Sequence, residues 1–493
     1  MGVGEQDHAP PAPPAPPRPR CRRVRAVLGW LPEILVVVLV GSATANLAFD
    51  LDARWFGLDH AATTSAQVPP PAGLDLAGGT LAPPVASSSP GGPLDPAAVR
   101  AAIAPYVGDP ALGRHVDVAV SALGSGQVVY RSGGGAITPA STTKLLTTAA
   151  ALSALGPDSR FRTVVRDSGA RIVLVGGGDP FLASSRAAAK GLYPVRATLE
   201  ELAARTAAAL VAQGRTTVRL SYDDTLFTGP KVNPAWPASY LPEDVVPPIT
   251  ALWADEGRDA AGHYVSDPSR TAAATFAAEL AAHGITVTGA IRTGAGTATG
   301  PEIADVQSAP LRQIVEHTLA VSDNNAAEVI GHHVGLSVRH DASFAGGVGA
   351  VMQVLEQLGV PTTGSTVYDG SGLSRHNRLT ADTLLGVLRV ASSPDHPELR
   401  AVVTGLPVAG FTGSLQWRFD DAPAAARGRV RAKTGTLTGV SGLAGLVTDV
   451  DGNRMAFVAI ADQVARPQTL AARHDLDLIA GALGACHCSG PTS

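Results

Sequence analysis

The sequence predicts an α+β protein whose single main sheet is assembled from segments at the two ends of a long folded region. Three observations predict it: strand-like segments near the start, strand-like segments near the end, and mainly helical patterns between them. The strand-like segments alternate apolar with small or polar residues, as half-buried strands do. They are Val116–Ser121, Val128–Ser132, Val430–Thr436, Gly442–Val450 and Arg454–Ala461. Strands so far apart in the chain must pair with each other to form one sheet.

Composition sets the broad class of the chain. Its 493 residues are 45% hydrophobic, enough for one large composite domain or two to three ordinary ones. A net charge of −4 gives no electrostatic reason to expect a nucleic-acid partner. Among 38 lysines and arginines only four are lysine. Because a desolvated lysine can become a neutral base and arginine cannot, the few lysines are candidates for chemistry.

The N-terminal region predicts export. Residues 1–26 form a basic, Pro-rich cytoplasmic tail, and the apolar stretch 27–49 is long enough to cross a membrane. Ala43-Thr44-Ala45 also resembles a signal-peptidase site, so a cleaved signal and a retained anchor both stay open, and the long preceding tail favours an anchor. Residues 50–94 are rich in Pro, Gly and Ser and predict a disordered linker.

The catalytic unit is predicted at 95–160 and 306–485. Asp95-Pro96 begins a helix to about Val107, and a nearly wholly apolar helix spans Ser141–Leu155. Helical patterns at 311–319, 325–335 and 344–358 lie between the first and the last strands. A C-terminal helix is predicted at 466–484, after the last strand.

Residues 161–305 are predicted to be an inserted region without visible chemistry. It contains a strand at Arg171–Val175 and helices at 197–213 and 268–283. Its glycine run, Gly176–Gly178, lacks the spacing and the βαβ context of a dinucleotide site.

Two further local patterns give structural expectations. Asn325 with Glu328 three residues later resembles a capping box, which leaves Asn324 free to face a ligand. Cys486 and Cys488 could form a disulfide, bind metal or do neither, and a frayed tail is the expectation.

Ser141 and Lys144 lie three residues apart on the apolar helix, so both project from one face. Burial lowers the pKa of a lysine, and the neutral amine of Lys144 could then take the Ser141 proton as the oxygen attacks a carbonyl. For an isolated S-x-x-K pattern, an N-cap serine and a solvated lysine are the more common explanation.

Two more motifs favour the catalytic explanation instead. S-x-x-K, S-x-N (Ser322 to Asn324) and K-T-G (Lys433 to Gly435) each occur once, in that order.

These motifs carry a resemblance. S-x-x-K, S-D-N and K-T-G are the signature of penicillin-binding proteins and class A β-lactamases. The 181 residues from Ser141 to Ser322 exceed a β-lactamase spacing, and such a large insertion resembles the D-alanyl-D-alanine carboxypeptidase/endopeptidase family, peptidase family S13 (class C low-molecular-mass penicillin-binding proteins). The resemblance covers about 95–485. It implies a serine β-lactamase/penicillin-binding transpeptidase-like fold, an antiparallel sheet flanked by helices plus a helical subdomain.

The resemblance also implies roles for individual residues. Ser141 would be the acylated nucleophile, Lys144 its base, and Ser322 the relay of a proton to the leaving group. Asn324, Lys433, Thr434, Gly435 and Thr436 would bind substrate. The N–H groups of Ser141 and Thr436 would form the oxyanion hole, and Asp369–Ser374 would shape the cleft.

The implied partners are peptidoglycan stem peptides ending in D-Ala-D-Ala, with β-lactam antibiotics as covalent inhibitors and with no cofactor or metal required. Two alternatives remain open: a β-lactamase-like hydrolase and a non-catalytic cell-wall-binding scaffold. Against the first, no Glu-x-x-Leu-Asn-like segment follows Asn324, and Glu356 lies in an apolar helical pattern. Against the second, a scaffold has no need to keep lysine rather than arginine at 144 and 433.

Overall fold

The computed structural model describes residues 93–294 and 298–490. Helices and two separate sheets alternate along this part of the chain, so the predicted α+β class is confirmed. The eleven α-helices are α1 Pro96–Val107, α2 Lys144–Leu155, α3 Arg186–Ala189, α4 Leu199–Ala212, α5 Pro268–Ala282, α6 Leu311–Ala320, α7 Asn324–Arg339, α8 Phe344–Gln357, α9 Ala381–Ala391, α10 Arg400–Thr404 and α11 Thr469–Ala485. Short 3₁₀ turns connect several of them.

The first sheet has five strands from the two ends of the folded region. They are β1 Val116–Ala122, β2 Val128–Ser132, β9 Val430–Leu437, β10 Val440–Thr448 and β11 Arg454–Ala461, in the spatial order β2-β1-β11-β10-β9. Every pair is antiparallel, and β1 lies beside β11 with Val120 opposite Phe457. The sheet is therefore closed by strands more than three hundred residues apart in sequence, as the alternating patterns predict.

The second sheet comes from one continuous stretch of chain. Its strands are β3 Arg162–Asp167, β4 Arg171–Val175, β5 Thr217–Asp223, β6 Thr286–Val287, β7 Arg292–Thr293 and β8 Glu302–Gln307. The order is β6-β5-β4-β3-β8, and β7 also pairs with β5. The apolar faces of α4 and α5 pack on it around Leu202, Phe276 and Leu220. These strands fall within or just beyond residues 161–305.

The helical core lies on one face of the first sheet. Leu145, Leu146 and Leu152 of α2 are fully buried there with Ile330 of α7 and Leu384 of α9. The other face of the sheet is covered by α1 and α11. The apolar α2 is thus surrounded on all sides, as its composition predicts.

The C-terminal tail is ordered, and the expectation of a frayed tail is wrong. Cys486 and Cys488 form a disulfide, and the Cys488 side chain is fully buried. The backbone N–H of Asp95 donates to the Cys488 carbonyl at 2.9 Å. Cys488 packs with apolar residues of α1 and α11, which fixes the tail against the start of the folded region.

The predicted tail, apolar segment and linker at 1–26, 27–49 and 50–94 lie outside the described residues, apart from the last two positions. Within residues 93–294 and 298–490, no helix has both the length and the apolar character needed to cross a membrane.

Candidate active site

The S-x-x-K motif is the centre of the site. Ser141 lies in a 3₁₀ turn, Ala140–Thr143, that continues directly into α2 at Lys144. The Lys144 side chain is fully buried. Its Nζ lies 3.0 Å from Ser141 Oγ, 2.7 Å from Asn324 Oδ1 and 2.7 Å from the Ser371 carbonyl oxygen. Three separate segments of the chain therefore meet at one amine.

Burial lowers the pKa of Lys144 to about 8, although the nearby Glu328 carboxyl opposes the shift. A neutral amine has two N–H groups and one lone pair. Asn324 Oδ1 and the Ser371 carbonyl can only accept hydrogen bonds and take the two N–H groups. The lone pair then faces the Ser141 hydroxyl. The contacts of Lys144 thus suit a base that accepts the Ser141 proton.

The S-x-N motif forms the entry to α7. Asp323 caps this helix, because its side chain accepts from the Ala326 N–H at 3.0 Å. Ser322, immediately before, has a left-handed backbone with φ of +64°, which is uncommon for a residue other than glycine. Asn324 is the first helical residue, and its side chain contacts Lys144 as described above.

The expected capping box is wrong, because the cap is Asp323 and not Asn325. Asn325 is buried and donates through Nδ2 to the Tyr264 hydroxyl at 2.9 Å. Glu328 does not bond the start of α7; it accepts from the backbone N–H groups of Gly370 at 3.1 Å and Ser371 at 2.7 Å. The two residues have the spacing of a capping box, but their hydrogen-bond partners lie far away in sequence.

The loop Asp369–Ser374 brings the Ser371 carbonyl to Lys144, a contribution that the sequence did not reveal. The Asp369 side chain organises it and is almost wholly buried. Its oxygens accept from four donors: Gly372 N, Ser374 N, Trp236 Nε1 and Asn377 Nδ2. Burial and then the nearby Asp369 raise the pKa of Glu328. The carboxyl groups of Asp369 and Glu328 therefore hold the backbone of this loop, whose Ser371 carbonyl contacts the candidate base.

Residues 161–305 contact this loop directly. Trp236 Nε1 lies 2.8 Å from Asp369 Oδ2, and both residues are buried. Ser374 Oγ lies 3.2 Å from the Ala235 carbonyl oxygen. The insertion, expected to carry no visible chemistry, thus supports a loop that touches Lys144. No local pattern around Trp236 could have indicated this, since its partner is 133 residues away.

The K-T-G motif lies on β9 at the edge of the five-stranded sheet. Lys433 is fully buried, and its Nζ donates to the Thr434 carbonyl at 3.0 Å. Burial, and then the nearby Lys144 and Arg418, lower the pKa of Lys433 well below its ordinary value. The Thr434 hydroxyl is 3.0 Å from Ser414 Oγ.

Two glycines allow the site to close around Ser141. A Cβ on Gly435 would lie 2.6 Å from the Pro139 carbonyl oxygen, and one on Gly372, where φ is +87°, would lie 1.9 Å from the Ala140 carbonyl oxygen. Only glycine lets β9 and the loop approach so closely. Thr436, the next residue on β9, remains exposed beside them. The structure therefore brings Ser141, Lys144 and Asn324 into contact and places the K-T-G strand against the same turn.

The chain is similar to known proteins over most of its length. The model of the D-Ala-D-Ala carboxypeptidase 3 (S13) family matches residues 99–262 and 258–483. A carboxypeptidase of Mycobacterium tuberculosis is 34% identical over 87% of this chain and 92% of its own. A D-alanyl-D-alanine carboxypeptidase of Actinomadura sp. is 31% identical over 74% of this chain and 80% of its own.

Solved structures agree on the fold. Penicillin binding protein 4 of Haemophilus influenzae is similar with a TM-score of 0.64, at 20% sequence identity, over 78% of this chain and 98% of its own. The predicted penicillin-binding transpeptidase-like architecture is therefore confirmed.

Proposed function

The chain belongs to the D-Ala-D-Ala carboxypeptidase 3 (S13) family, and on that basis we propose that it is a serine D-alanyl-D-alanine carboxypeptidase acting on peptidoglycan stem peptides. One observation carries the proposal: Lys144 Nζ is buried and lies 3.0 Å from Ser141 Oγ, with two acceptors for its N–H groups. This arrangement supplies a nucleophile and a neutral base without a third side chain.

In the proposed reaction, the Ser141 oxygen attacks the carbonyl of the penultimate D-Ala while Lys144 takes the hydroxyl proton. The backbone N–H groups of Ser141 and Thr436 hold the developing oxyanion. The peptide bond breaks, and the proton passes through Ser322 to the amine of the departing D-Ala. Water then hydrolyses the ester on Ser141, which regenerates the enzyme.

The two buried lysines give the substrate carboxylate a further role. Lys144 has acids nearby, whereas the charged neighbours of Lys433 are cations, so before substrate binds the protein holds a positive charge better on Lys144. A substrate carboxylate bound at Thr434 and Thr436 brings an anion to Lys433 and raises its pKa. The charge on Lys433 then disfavours a charge on Lys144. We infer that substrate binding itself prepares the neutral base.

Labelling with a fluorescent penicillin tests the acyl-enzyme. The wild type is expected to keep a stable covalent label, and Ser141→Ala is expected to lose it. Lys144→Arg keeps a cation but removes the base, so we expect the fold retained and labelling lost. Unchanged labelling of Lys144→Arg would refute Lys144 as the base.

Turnover distinguishes this activity from a β-lactamase. Rapid release of hydrolysed penicillin with no retained adduct would favour the hydrolase alternative, and no labelling at all would favour a non-catalytic scaffold. Mass spectrometry of muropeptides after incubation is expected to show loss of one D-Ala. Cross-linked muropeptides in the same assay measure endopeptidase activity.

We propose an exported location, because the substrate lies outside the cytoplasm. The basic residues before the apolar segment 27–49 support this orientation, and the same segment would attach the protein to the membrane if it is retained. Fractionation of cells, with the mass of the mature N-terminus, decides between a retained anchor and a cleaved signal.

A further inference from the structure

A second concave surface lies on the first sheet, and its lining includes Arg431, two residues before the K-T-G motif on β9. It is an open groove of about 1110 Å³ between the strand ends and the segment that joins α9 to α10. Leu446 and Leu123 contribute apolar surface to it. Four arginines line it: Arg389, Arg400, Arg431 and Arg454.

The four guanidinium groups lack acidic partners. All four arginines are exposed, and within residues 93–294 and 298–490 none of them forms an ion pair. The acid lining the groove is Asp395. His396 also lines the groove, and its Nδ1 lies 2.9 Å from Glu398 Oε1. The lining thus carries four fixed positive charges against one carboxylate.

Nine arginines in residues 93–294 and 298–490 form ion pairs and the others do not, so the distinctive feature of this groove is that four unpaired arginines line one surface. Of the paired ones, Arg215 and Arg418 lie 2.5 Å and 2.6 Å from the carboxylates of Asp167 and Asp477. The overall charge of −4 also means that the positive patch is a local feature and not a consequence of a basic chain. Several arginines without an acidic partner along one groove indicate an anionic ligand.

The spacing of the arginines indicates a ligand with several charges. Arg431 pairs with Leu446, and Leu446 pairs with Ala456, two residues from Arg454. Since neighbouring strands are about 4.8 Å apart and residues rise about 3.3 Å, the Cα atoms of Arg431 and Arg454 are about 12 Å apart. A ligand with several charges can contact more of these guanidinium groups than a single phosphate can. A groove also suits a chain better than the flat face of a bilayer.

We propose that this groove binds a linear polyanion whose charges are phosphates, such as a phosphodiester polymer. Guanidinium groups match phosphate oxygens in a bidentate manner, and the apolar surface at Leu446 would lie against the uncharged units between phosphates. None of its lining residues belongs to the three catalytic motifs, so the groove would hold the enzyme on an anionic polymer while the cleft remains free. This proposal does not depend on the proposed activity.

Inorganic polyphosphate of about 20 units is the probe, and its binding to the full chain is measured by titration at several salt concentrations. Four contacts predict a log–log slope of affinity against salt of about −3, from about −0.7 for each contact. The double variant R400Q/R454Q is expected to lose at least tenfold in affinity and to halve that slope. Both positions are exposed, so the melting temperature is expected to stay unchanged.

The matched control is R171Q/R219Q, which removes the same charge from two exposed arginines on adjacent strands of the second sheet. It is expected to bind polyphosphate as the wild type does. Equal weakening in both variants would overturn the proposal, because binding would then follow net charge alone. Orthophosphate binding as tightly as the polymer would also overturn it. The proposal would also be overturned if vesicles of an acidic phospholipid bound through these arginines and polyphosphate did not.

Discussion

Replacing Trp236 with phenylalanine tests whether residues 161–305 support catalysis through the loop at Asp369. The substitution keeps a buried aromatic ring and removes the Nε1–H donor, which lies 2.8 Å from Asp369 Oδ2. The other three donors to Asp369 remain. The change is therefore confined to one hydrogen bond of the loop whose Ser371 carbonyl contacts Lys144.

The matched control is Trp253→Phe. Trp253 is also buried, but its Nε1 donates to the backbone carbonyls of Asp179 at 3.1 Å and Pro180 at 3.2 Å, away from the loop. Both substitutions remove the same atoms. A hydrogen bond to a neutral carbonyl contributes about 1 kcal/mol to stability, and one to a carboxylate about 1.5–3 kcal/mol. Trp236→Phe is thus expected to lower the free energy of unfolding somewhat more than the control.

The decisive measurement is the rate of labelling by a fluorescent penicillin. Each 1.4 kcal/mol lost in positioning Ser371 and Lys144 slows acylation about tenfold. We therefore expect Trp236→Phe to slow labelling on the order of tenfold, and Trp253→Phe to leave it within about twofold of the wild type. Equal rates for the two variants would refute a role of Trp236 in positioning the base.

Three further results are expected. Because burial lowers the pKa of Lys144 to about 8, its neutral fraction in the unbound enzyme should rise about tenfold from pH 7 to pH 9. The second-order labelling rate should rise by up to that factor, and less where ligand binding itself transfers the charge to Lys433; a rate that falls over this interval would exclude Lys144 as the titrating base. Gly372→Ala should abolish labelling, while Gly452→Ala, with a similar φ of +89° but open space around it, should only lower the melting temperature; equal labelling of both would contradict the close packing on Ser141. Reduction of the denatured protein should expose two additional thiols from Cys486 and Cys488, and no gain would contradict the disulfide.

The parts of the site predicted from sequence are those that local spacing determines. Ser141 and Lys144 share a face because three residues are nearly one helical turn, and the strand predicted at Val430–Thr436 extends to Leu437. The predicted helix at 325–335 begins one residue earlier, at Asn324. Such features depend on neighbours in the chain.

The features that were missed depend on distant neighbours. Glu328 follows Asn325 by three residues, as in a capping box, yet it contacts Gly370 and Ser371 across the core. The partner of Trp236 is likewise far away in sequence. A local pattern cannot distinguish a carboxylate that caps its own helix from one that holds another loop, because both need an acid at the same position.

The closure of the first sheet by β1 and β11 has a consequence for how the protein folds. Loop-closure entropy grows only with the logarithm of loop length, about 0.6 kcal/mol for each doubling, so the long interval between these strands costs little stability. The folding rate is affected more strongly, because strands that are distant in sequence pair late. The second sheet, from residues 162–307, can form from a continuous segment. The first sheet is complete only when β1 has paired with β11, at the other end of the folded region. Catalytic competence should therefore be the last property that a refolding chain regains.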